Sequence, residues 1–430
     1  MCNTHYDLIV AGGGLTGTAA AVAAARGGLH VLLVEQSGAL GGAACTCLIN
    51  PFMPYSTVLP TESHPEGAHV ALSRGLFAEI TDRLRARGEC AVTVNQRGEC
   101  TTFSEEHLKL VLDQMTEEAN VNVLFHATLC GVEKDGETLR AVQVITKAGV
   151  LRLSADLFID CTGDADLAVM SGCPYHLGRA DRLCQPMTLC FRLGNIDTEA
   201  FRANYQDVQR VYREWQAAGK TDNPRENVLT FATLNKGVVH FNTTRIVKLD
   251  PTDPFAVSKA ERMARRQMED IWRMLRESFD FCKNAELLMS ASQIGVRESR
   301  MIDGKHLLTV EELKACTRFP DAIAAGNYDI DIHNPEGSGT SHYYFPNGQY
   351  YTLPYRSLCP LNAENLLVAG RCISSTHEAQ ASYRVMPIVT CLGEAAGTAA
   401  AVAHKMNAPL HEVDMNALQQ TLRANNAFIG

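Results

Sequence analysis

The chain has 430 residues, 46% of them hydrophobic and 20% charged, which is enough for two domains or for one large domain with an insertion. It carries 39 lysines and arginines against 48 aspartates and glutamates, a formal net charge of −9 with no basic block. This balance argues against nucleic acid and a membrane surface as partners. Neither a targeting signal nor an apolar run long enough to span a bilayer is apparent, so a cytoplasmic location is expected.

The chain contains 15 cysteines, and no two of them have the CxxC spacing. That spacing is typical of zinc ribbons and of iron–sulfur sites. Asp331 and His333 form a pair that suggests a metal, but the rest of a metal site is not visible, so no metal is predicted. The cysteines are expected to be reduced thiols, mostly small residues of the core.

The first fifty residues contain a strand, a glycine-rich turn, a helix and a second strand. An apolar run at 8–11 leads into Gly12-x-Gly14-x-x-Gly17, and an alanine-rich helix follows. In such a unit the first glycine permits a tight turn, the second admits a pyrophosphate, and the third lets helix and strand pack closely. Glu35 ends the second strand, where a carboxylate accepts hydrogen bonds from a ribose. The unit predicts a dinucleotide site made of Gly12, Gly14, Leu15, Thr16, Gly17, Glu35 and Gln36.

Beyond this unit the hydrophobic pattern alternates between helices and short strands. Helices are predicted over 76–95 and 104–119, and strands over 121–127, 129–134, 139–146, 150–153 and 157–159. The middle of the chain, 175–355, mixes polar strands, proline turns and one amphipathic surface helix at 258–279. The end of the chain repeats the texture of the beginning, with a strand into a glycine at 365–370 and a small-residue helix at 389–404.

These elements predict an α/β protein whose Rossmann-like domain is of the three-layer ββα type and is split in sequence. Residues 1–174 and 350–410 are expected to form that nucleotide-binding domain. An α+β substrate domain is expected as an insertion at 175–349, and residues 411–430 are expected to form a C-terminal tail.

Six segments of the chain together resemble one known family. They are GGGLTG at 12–17, LGG at 40–42, IDCTGD at 159–164, VRESRMIDG at 296–304, NLLVAGRCIS at 365–374 and YRVMPIVTCLGEAAGTAAA at 383–401. In this order they resemble FAD-dependent oxidoreductases of the glutathione-reductase-like fold. The resemblance is to a bacterial branch of mostly unassigned substrate, distantly related to fumarate reductase and succinate dehydrogenase flavoproteins.

The resemblance implies FAD as the cofactor, lying extended from the first βαβ unit toward the middle domain. It implies that Gly41 and Gly42 pass the diphosphate or ribityl chain, and that a helix near the flavin ring starts at the glycine pair 393–397. Arg371 departs from the family, since relatives often carry an acidic residue there. The cofactor contacts implied in this way are Gly41, Gly42, Thr162, Gly163, Asp164, Gly370, Arg371, Gly393, Ala395 and Ala396. Plain backbone packing is the alternative role for the lone glycines.

A flavin supplies the hydride chemistry, so the protein must orient the substrate, tune charge and move a proton. Arg297 and Arg300 are three residues apart and would share a face of a helical turn, where they would hold a carboxylate or phosphate. A structural ion pair with Glu298 is the alternative. The resemblance places His377 and Arg384 beside the flavin, as a proton donor or acceptor and as a ligand of a substrate anion.

The leading hypothesis is hydride transfer between FAD and a small polar, anionic substrate bound between the two domains. One alternative is flavin-linked thiol/disulfide exchange through Cys45 and Cys47, although a disulfide across one residue is strained. Another is a flavin-bearing subunit that passes electrons to a partner protein. The electron acceptor or donor, the covalent state of FAD and a homo-oligomeric assembly are left open by the sequence.

Overall fold

The computed structural model describes residues 5–430. The helices are α1 (Leu15–Arg26), α2 (Ala43–Thr46), α3 (Leu76–Ala86), α4 (Glu105–Glu118), α5 (Asp166–Met170), α6 (Thr198–Ala203), α7 (Tyr205–Ala217), α8 (Pro254–Ser278), α9 (Val310–Lys314), α10 (His377–Tyr383), α11 (Met386–Met406) and α12 (Met415–Ala424). Residues 1–4, part of the predicted first domain and of the stretch read for a targeting signal, lie outside the described residues.

Most strands are short, and the longest are β8, β9 and β10. They are β1 (His5–Ala11), β2 (Val31–Val34), β3 (Ser56–Leu59), β4 (Ala68–Ala71), β5 (Cys90–Asn95), β6 (Gly98–Phe103), β7 (Asn122–Leu124), β8 (Thr128–Asp135), β9 (Thr138–Thr146), β10 (Gly149–Asp160), β11 (Tyr175–Leu177), β12 (Phe191–Gly194), β13 (Thr230–Ala232), β14 (Val239–Phe241), β15 (Glu286–Ser290), β16 (Arg300–Ile302), β17 (Ala322–Gly326), β18 (Ile330–His333), β19 (Thr340–Tyr343), β20 (Tyr351–Pro354) and β21 (Leu366–Val368).

A seven-stranded sheet organises the fold. Its order is β7-β2-β1-β10-β9-β8, with β21 paired to β10. Strands β7, β2, β1, β10 and β21 are parallel, and Val10 is level with Leu33 on one side and Ile159 on the other. Residues 8–11 of β1 are fully buried, as expected for a parallel sheet that is covered on both faces. The predicted α/β class and the Rossmann-like three-layer sheet are confirmed.

Helices α1 and α11 pack together on one face of this sheet. A Cβ added to Gly393 would lie 2.0 Å from the carbonyl oxygen of Thr16, and one added to Gly397 would lie 2.0 Å from that of Ala20. The two glycines therefore let the backbones of α1 and α11 touch. Both chain ends are thereby held in one core, as the split domain requires.

Helix α11 is long and apolar enough to cross a membrane by length and composition. This differs from the expectation that no such run exists. In its most apolar stretch of 18 residues, 89% of that stretch is buried inside the protein, because its alanines and glycines pack against α1 and neighbouring elements. Its apolar character thus serves the core.

The middle of the chain has a smaller sheet with the order β13-β14-β12-β15. Phe191 and Phe241 face one side of it, where they pack with Ile271 of α8 in a separate hydrophobic core. Their neighbours Arg192 and His240, directly opposite each other on β12 and β14, therefore point to the other side. We call the side with Arg192 and His240 the polar side of the smaller sheet.

Several predicted boundaries differ from the structure. The predicted helix at 76–95 ends at Ala86, and Cys90–Asn95 instead forms a hairpin with Gly98–Phe103. The two predicted strands at 150–153 and 157–159 are one strand, β10.

The core also crosses two predicted domain limits. Ile323 and Leu353, on either side of residue 349, pack in the same cluster as Val10. Leu418 and Ile429 of the predicted tail belong to it too.

Candidate functional site

The carboxyl ends of the parallel strands meet at one edge of the large sheet. Gly12 follows β1, Glu35 follows β2, and Gly370 comes two residues after β21. A cavity of about 360 Å³ lies over this edge, within the size range of small-molecule sites. Open α/β sheets bind their ligands at such an edge. We call this cavity the cleft.

Most residues predicted to contact a nucleotide line the cleft. They are Gly12, Gly14, Leu15, Thr16, Glu35, Gln36, Gly41, Gly42, Thr162, Gly163, Asp164, Gly370 and Arg371. They come from both ends of the chain, which the large sheet brings together.

The glycine turn depends on close backbone contacts. Gly12 has φ +95°, and a Cβ there would lie 2.5 Å from the carbonyl oxygen of Cys161. A Cβ on Gly17 would lie 1.8 Å from the carbonyl oxygen of Gly12. Gly17 therefore shapes the turn from behind and does not line the cleft, in contrast to its predicted contact role.

The first turn of α1 is open toward the cleft. Its N-cap, Gly14, offers no side-chain hydrogen bond to the helix. The nearest atom to a Cβ built on Gly14 would be the Cα of Gly42, at 3.9 Å. Free N–H groups at a helix N-terminus with this much room fit a diphosphate.

Glu35 is held in one orientation. Its Oε2 accepts a hydrogen bond from the Gly13 N–H at 2.6 Å, and its Oε1 accepts one from the Ser37 N–H at 2.7 Å. Each carboxylate oxygen keeps a second lone pair for a ligand hydroxyl. The residue is buried yet lines the cleft, which fits the ribose of an adenine nucleotide.

The loop after β10 is fixed by a buried carboxylate. Asp160 accepts hydrogen bonds from the N–H of Thr162 at 2.9 Å, from its hydroxyl at 2.7 Å, and from the Ala168 N–H at 2.9 Å. Burial raises the pKa of Asp160 to about 6. The three donors stabilise its charged form and hold Thr162 at the cleft.

Arg371 reaches the cleft as half of an ion pair. Its Nη2 lies 2.7 Å from Oδ1 of Asp164, and a Cβ on Gly163 would lie 2.7 Å from its Nη1. Its Nε is buried and has no partner. A glycine is therefore needed at 163 to let the guanidinium approach.

Helix α11 contributes its first turn to the cleft. It starts at Met386, and Met386 and Val389 line the cavity. Gly393 lies two turns into the helix against α1, and Ala395 and Ala396 are fully buried in the core. None of these three predicted cofactor contacts lines the cleft, because the helix begins earlier than the glycines suggested.

Arg297 and Arg300 do not share a helical face, because no helix forms there: Arg297 lies in a bend and Arg300 begins β16. Arg297 donates from Nη1 to the Pro186 carbonyl at 2.6 Å and to the Thr188 hydroxyl at 2.7 Å. Arg300 forms an ion pair with Asp166. Arg300 thus braces the loop after β10, and the prediction of a two-arginine face is wrong.

His377 lies away from the cleft. Its Nδ1 is 2.7 Å and 2.8 Å from the two oxygens of Glu298, which is fully buried. The histidine lines a different cavity together with His176 and Asp303. Its predicted place beside the flavin is therefore not where the structure puts it.

Arg384 does line the cleft, as predicted. Its side chain is 13% exposed, and one Nη2 lies 3.6 Å from Oδ2 of Asp331. Its Nε is buried without a partner. A guanidinium with a free donor at a cleft can take an anion.

Cys45 and Cys47 are free thiols that point to different neighbours. Cys45 Sγ lies 3.8 Å from the carbonyl oxygen of Glu105, and Cys47 Sγ lies 3.7 Å from that of Ile294. Burial raises the pKa of Cys45 to about 12 and also raises that of Cys47. Only Cys47 lines the cleft.

The middle of the chain supplies cleft residues that no motif marked. Val257 and Glu261 come from α8 and lie one turn apart. Their i, i+4 spacing places both on one face of α8, but the predicted helix began at 258 and left Val257 out. Gln293, Ile294 and Val296 come from a loop without a recognisable pattern. Among residues 5–430 no group of metal ligands is present.

The fold and the cleft define a dinucleotide-binding α/β protein. The chain belongs to the FAD dependent oxidoreductases, a family that matches residues 7–422. It is therefore a flavin-dependent enzyme with FAD as its cofactor, and the cleft residues fit that group. No curated protein matches the chain.

Solved structures share the fold at low sequence identity. p-Nitrophenol 4-monooxygenase PnpA from Pseudomonas putida DLL-E4 has a TM-score of 0.51 at 10% identity, over 99% of this chain and 90% of that one. A geranylgeranyl bacteriochlorophyll reductase-like protein from Thermoplasma acidophilum has 0.47 at 11%, over 98% and 83%. The flavin-dependent brominase Bmp2 has 0.47 at 12%, over 98% and 84%.

Proposed function

We propose that the enzyme transfers a hydride between FAD and a small polar, anionic substrate bound in the cleft. The hydride chemistry belongs to FAD when it is bound. The observation that carries the proposal is that Arg384, with a free buried Nε, lines the same cavity as the glycine turn. The cleft also contains Val257 and Ile294, so the substrate lies between the sheet edge and the inserted region.

The sheet edge holds the cofactor in this proposal. The first turn of α1 and the glycines at 41 and 42 receive the diphosphate, while Glu35 and Gln36 receive the ribose. Thr162 to Asp164, Gly370 and Arg371 contact the remainder. Asp164 balances the charge of Arg371, so this arginine fixes the loop as well as facing the cofactor.

The inserted region and the end of α10 hold the substrate. Arg384 and Arg297 bind its anionic part. His377 is assigned a positioning role, because Glu298, its partner, also accepts the Gln185 N–H at 2.7 Å. This buried pair fixes the segment that carries Arg297. Arg300 positions the loop after β10 through Asp166.

Thiol/disulfide exchange is disfavoured because the Cys45 thiol stays protonated. The attacking species would be a thiolate, and a pKa of about 12 leaves Cys45 protonated at neutral pH. No observation favours an electron-transfer subunit. Two points stay predictions: the kinship to glutathione-reductase-like and fumarate reductase flavoproteins, and the cytoplasmic location. The electron acceptor or donor and any homo-oligomer stay open.

An anaerobic titration tests the proposal. The purified yellow protein is mixed with a panel of small organic acids, and the flavin absorbance is followed. A substrate should bleach the flavin, whereas the uncharged amide of the same acid should leave it unchanged. The proposal fails if the protein takes up no FAD, or if amides and acids bleach the flavin equally well.

A further inference from the structure

Buried polar atoms without partners concentrate beside the cleft. Among the described residues, twelve buried side-chain nitrogen and oxygen atoms have no hydrogen-bond partner. Eight of them belong to one neighbourhood: Arg192 Nε, Arg225 Nη1, both ring nitrogens of His240, Asn242 Oδ1, Arg245 Nε, Asp331 Oδ1 and Arg384 Nε. Unsatisfied buried groups are costly, so such a concentration indicates a place where a ligand supplies the missing partners.

The polar side of the smaller sheet forms one boundary of this neighbourhood. Arg192 and His240 face away from the hydrophobic core that Phe191 and Phe241 build. Arg192 forms an ion pair with Glu105 of α4, which belongs to the FAD-binding part. The polar side therefore faces the FAD-binding part.

A chain of contacts connects this region with the cleft. Arg245 donates from Nη2 to Nδ1 of His333 at 2.9 Å, which leaves the proton of the neutral ring on Nε2. That nitrogen lies 3.2 Å from Oδ2 of Asp331, the same oxygen that faces Arg384. Arg384 in turn lines the cleft.

Arg297 lies near Arg384, which lines the cleft, and near Arg225 and Arg245. Burial and, to a smaller extent, the positive charges of Arg384, Arg225 and Arg245 together lower its pKa to about 9. Part of its surface nevertheless remains uncovered by protein atoms. Within residues 5–430 its guanidinium donates to the Pro186 carbonyl and the Thr188 hydroxyl, both neutral acceptors.

We define the arginine cluster as Arg192, Arg225, Arg245, Arg297 and Arg384. Three carboxylates accompany it. Glu105 forms an ion pair with Arg192, and Asp331 forms one with Arg384. Glu226 lies 3.2 Å from Arg245 and also lies near Arg225.

The neighbouring histidines add no charge. Burial lowers the pKa of His240 to about 3 and holds that of His333 well below its usual range. Two positive charges remain uncompensated in a buried place, which is unfavourable without a counter-ion.

We propose that the arginine cluster binds a small organic dianion, with Arg384 contacting it at the cleft, Arg297 next to Arg384, and Arg225 compensating its second charge. The inference rests on the proposed function in one respect only: this dianion is taken to be the anionic substrate of the flavin reaction. It commits the substrate to two negative charges, which Arg384 alone does not require.

Equilibrium binding to the FAD-loaded protein tests the charge requirement. The probes are succinate and malonate as dicarboxylates, glycerol 3-phosphate and inorganic phosphate as phosphoryl dianions, and acetate and propionate as monoanions, all at constant ionic strength. We expect dianions to bind at least about tenfold more tightly than monoanions, since one additional charged hydrogen bond has about that value. Tighter binding by the first or the second group identifies the acid as carboxylic or phosphoric.

The variant Arg225→Met separates a ligand site from a structural ion network. We expect it to lower dianion affinity about tenfold, to the level of monoanions, while the FAD content and flavin spectrum stay unchanged. Because it removes an uncompensated charge, it should not lower the melting temperature of the anion-free protein. Arg210→Met, at an exposed arginine paired with Glu214, is the control and should change neither measurement.

Equal binding of monoanions and dianions by the natural protein overturns the inference, and this measurement needs no variant to fold. A lower melting temperature of Arg225→Met with unchanged anion binding also overturns it. If dianions bind through Arg225 but none bleaches the flavin, the dianion site stands and the proposed function fails. If a monoanion bleaches the flavin and Arg225→Met has no effect, the proposed function stands and the dianion site fails.

Discussion

The two sides of the cleft are built differently. The sheet edge uses backbone and fixed carboxylates whose hydrogen bonds are satisfied, as Glu35 and Asp160 illustrate. The opposite side uses arginine side chains from distant segments, and several of their donors have no partner. In the proposed function the sheet edge receives FAD, and the arginine side receives the substrate, which supplies the missing partners of its donors.

The largest effect is expected from breaking the satisfied side. In Gly17→Ala the new methyl group would lie 1.8 Å from the Gly12 carbonyl oxygen, so the turn must open. We expect the free energy of unfolding to fall by about 3 kcal/mol, and FAD to be lost. Urea denaturation and the absorbance ratio of the purified protein measure this. Gly337→Ala, where no atom lies within 4 Å, is the control; equal losses in both variants would contradict the packing role.

Removing a donor from the unsatisfied side should affect catalysis and leave the fold intact. In Arg384→Gln we expect kcat/KM for the substrate that bleaches the flavin to fall about 100-fold, close to 3 kcal/mol. FAD content should not change. Arg384→Lys, which keeps the charge without the planar donors, should recover part of the loss. A kcat/KM within twofold of the natural protein would exclude Arg384 as a substrate ligand.

One further buried carboxylate, Glu394, has a strongly raised pKa. Glu394 of α11 is 2% exposed and accepts the Leu76 N–H at 2.8 Å, and burial raises its pKa to about 7 from 4.5. The folded state therefore binds a proton that the unfolded state has released, and stability falls as the pH rises from about 4.5 to 7.

Glu394→Gln should remove this loss while it keeps an acceptor for Leu76. We expect the variant to be about 2 kcal/mol more stable than the natural protein at pH 8, and close to it at pH 4.5. Urea denaturation at the two pH values measures the difference. A constant difference between the variants at both pH values would show that Glu394 does not titrate in this range.

The smallest effect is expected from the two thiols at α2, Cys45 and Cys47. Replacing Cys45 and Cys47 together by serine should change turnover less than about twofold, since neither is needed for hydride transfer. Flavin reduction by the substrate, followed anaerobically, measures this. Loss of turnover in the double variant, with FAD still bound, would restore the thiol/disulfide alternative.

The sequence predicted the sheet side well because its signals are local. Gly12 and Glu35 directly follow buried strands and Gly370 comes two residues after one, so strand ends and glycines identify them without knowledge of the fold. The start of α11 was missed although Pro387, in its first turn, is a usual start signal. The glycines at 393 and 397 instead serve contact between helices, a use that one sequence does not distinguish from cofactor contact.

The substrate side could not be predicted, because it depends on tertiary pairing. Four residues at 297–300 do not decide between a helical turn and an irregular segment, and the structure has no helix there. His240 and Arg192 become neighbours only through the register of β12 and β14. Arg225 and Arg245 lie in no motif, and their relation to Arg384 passes through His333 and Asp331.

The protonated thiols around the cleft have a consequence for the lifetime of the enzyme. Reduced flavins that meet oxygen release hydrogen peroxide, which attacks thiolates far faster than thiols. Burial raises the pKa of Cys190 to about 12, and it also raises the pKa of Cys47 and Cys161. These sulfurs thus stay in the thiol form, which peroxide attacks slowly.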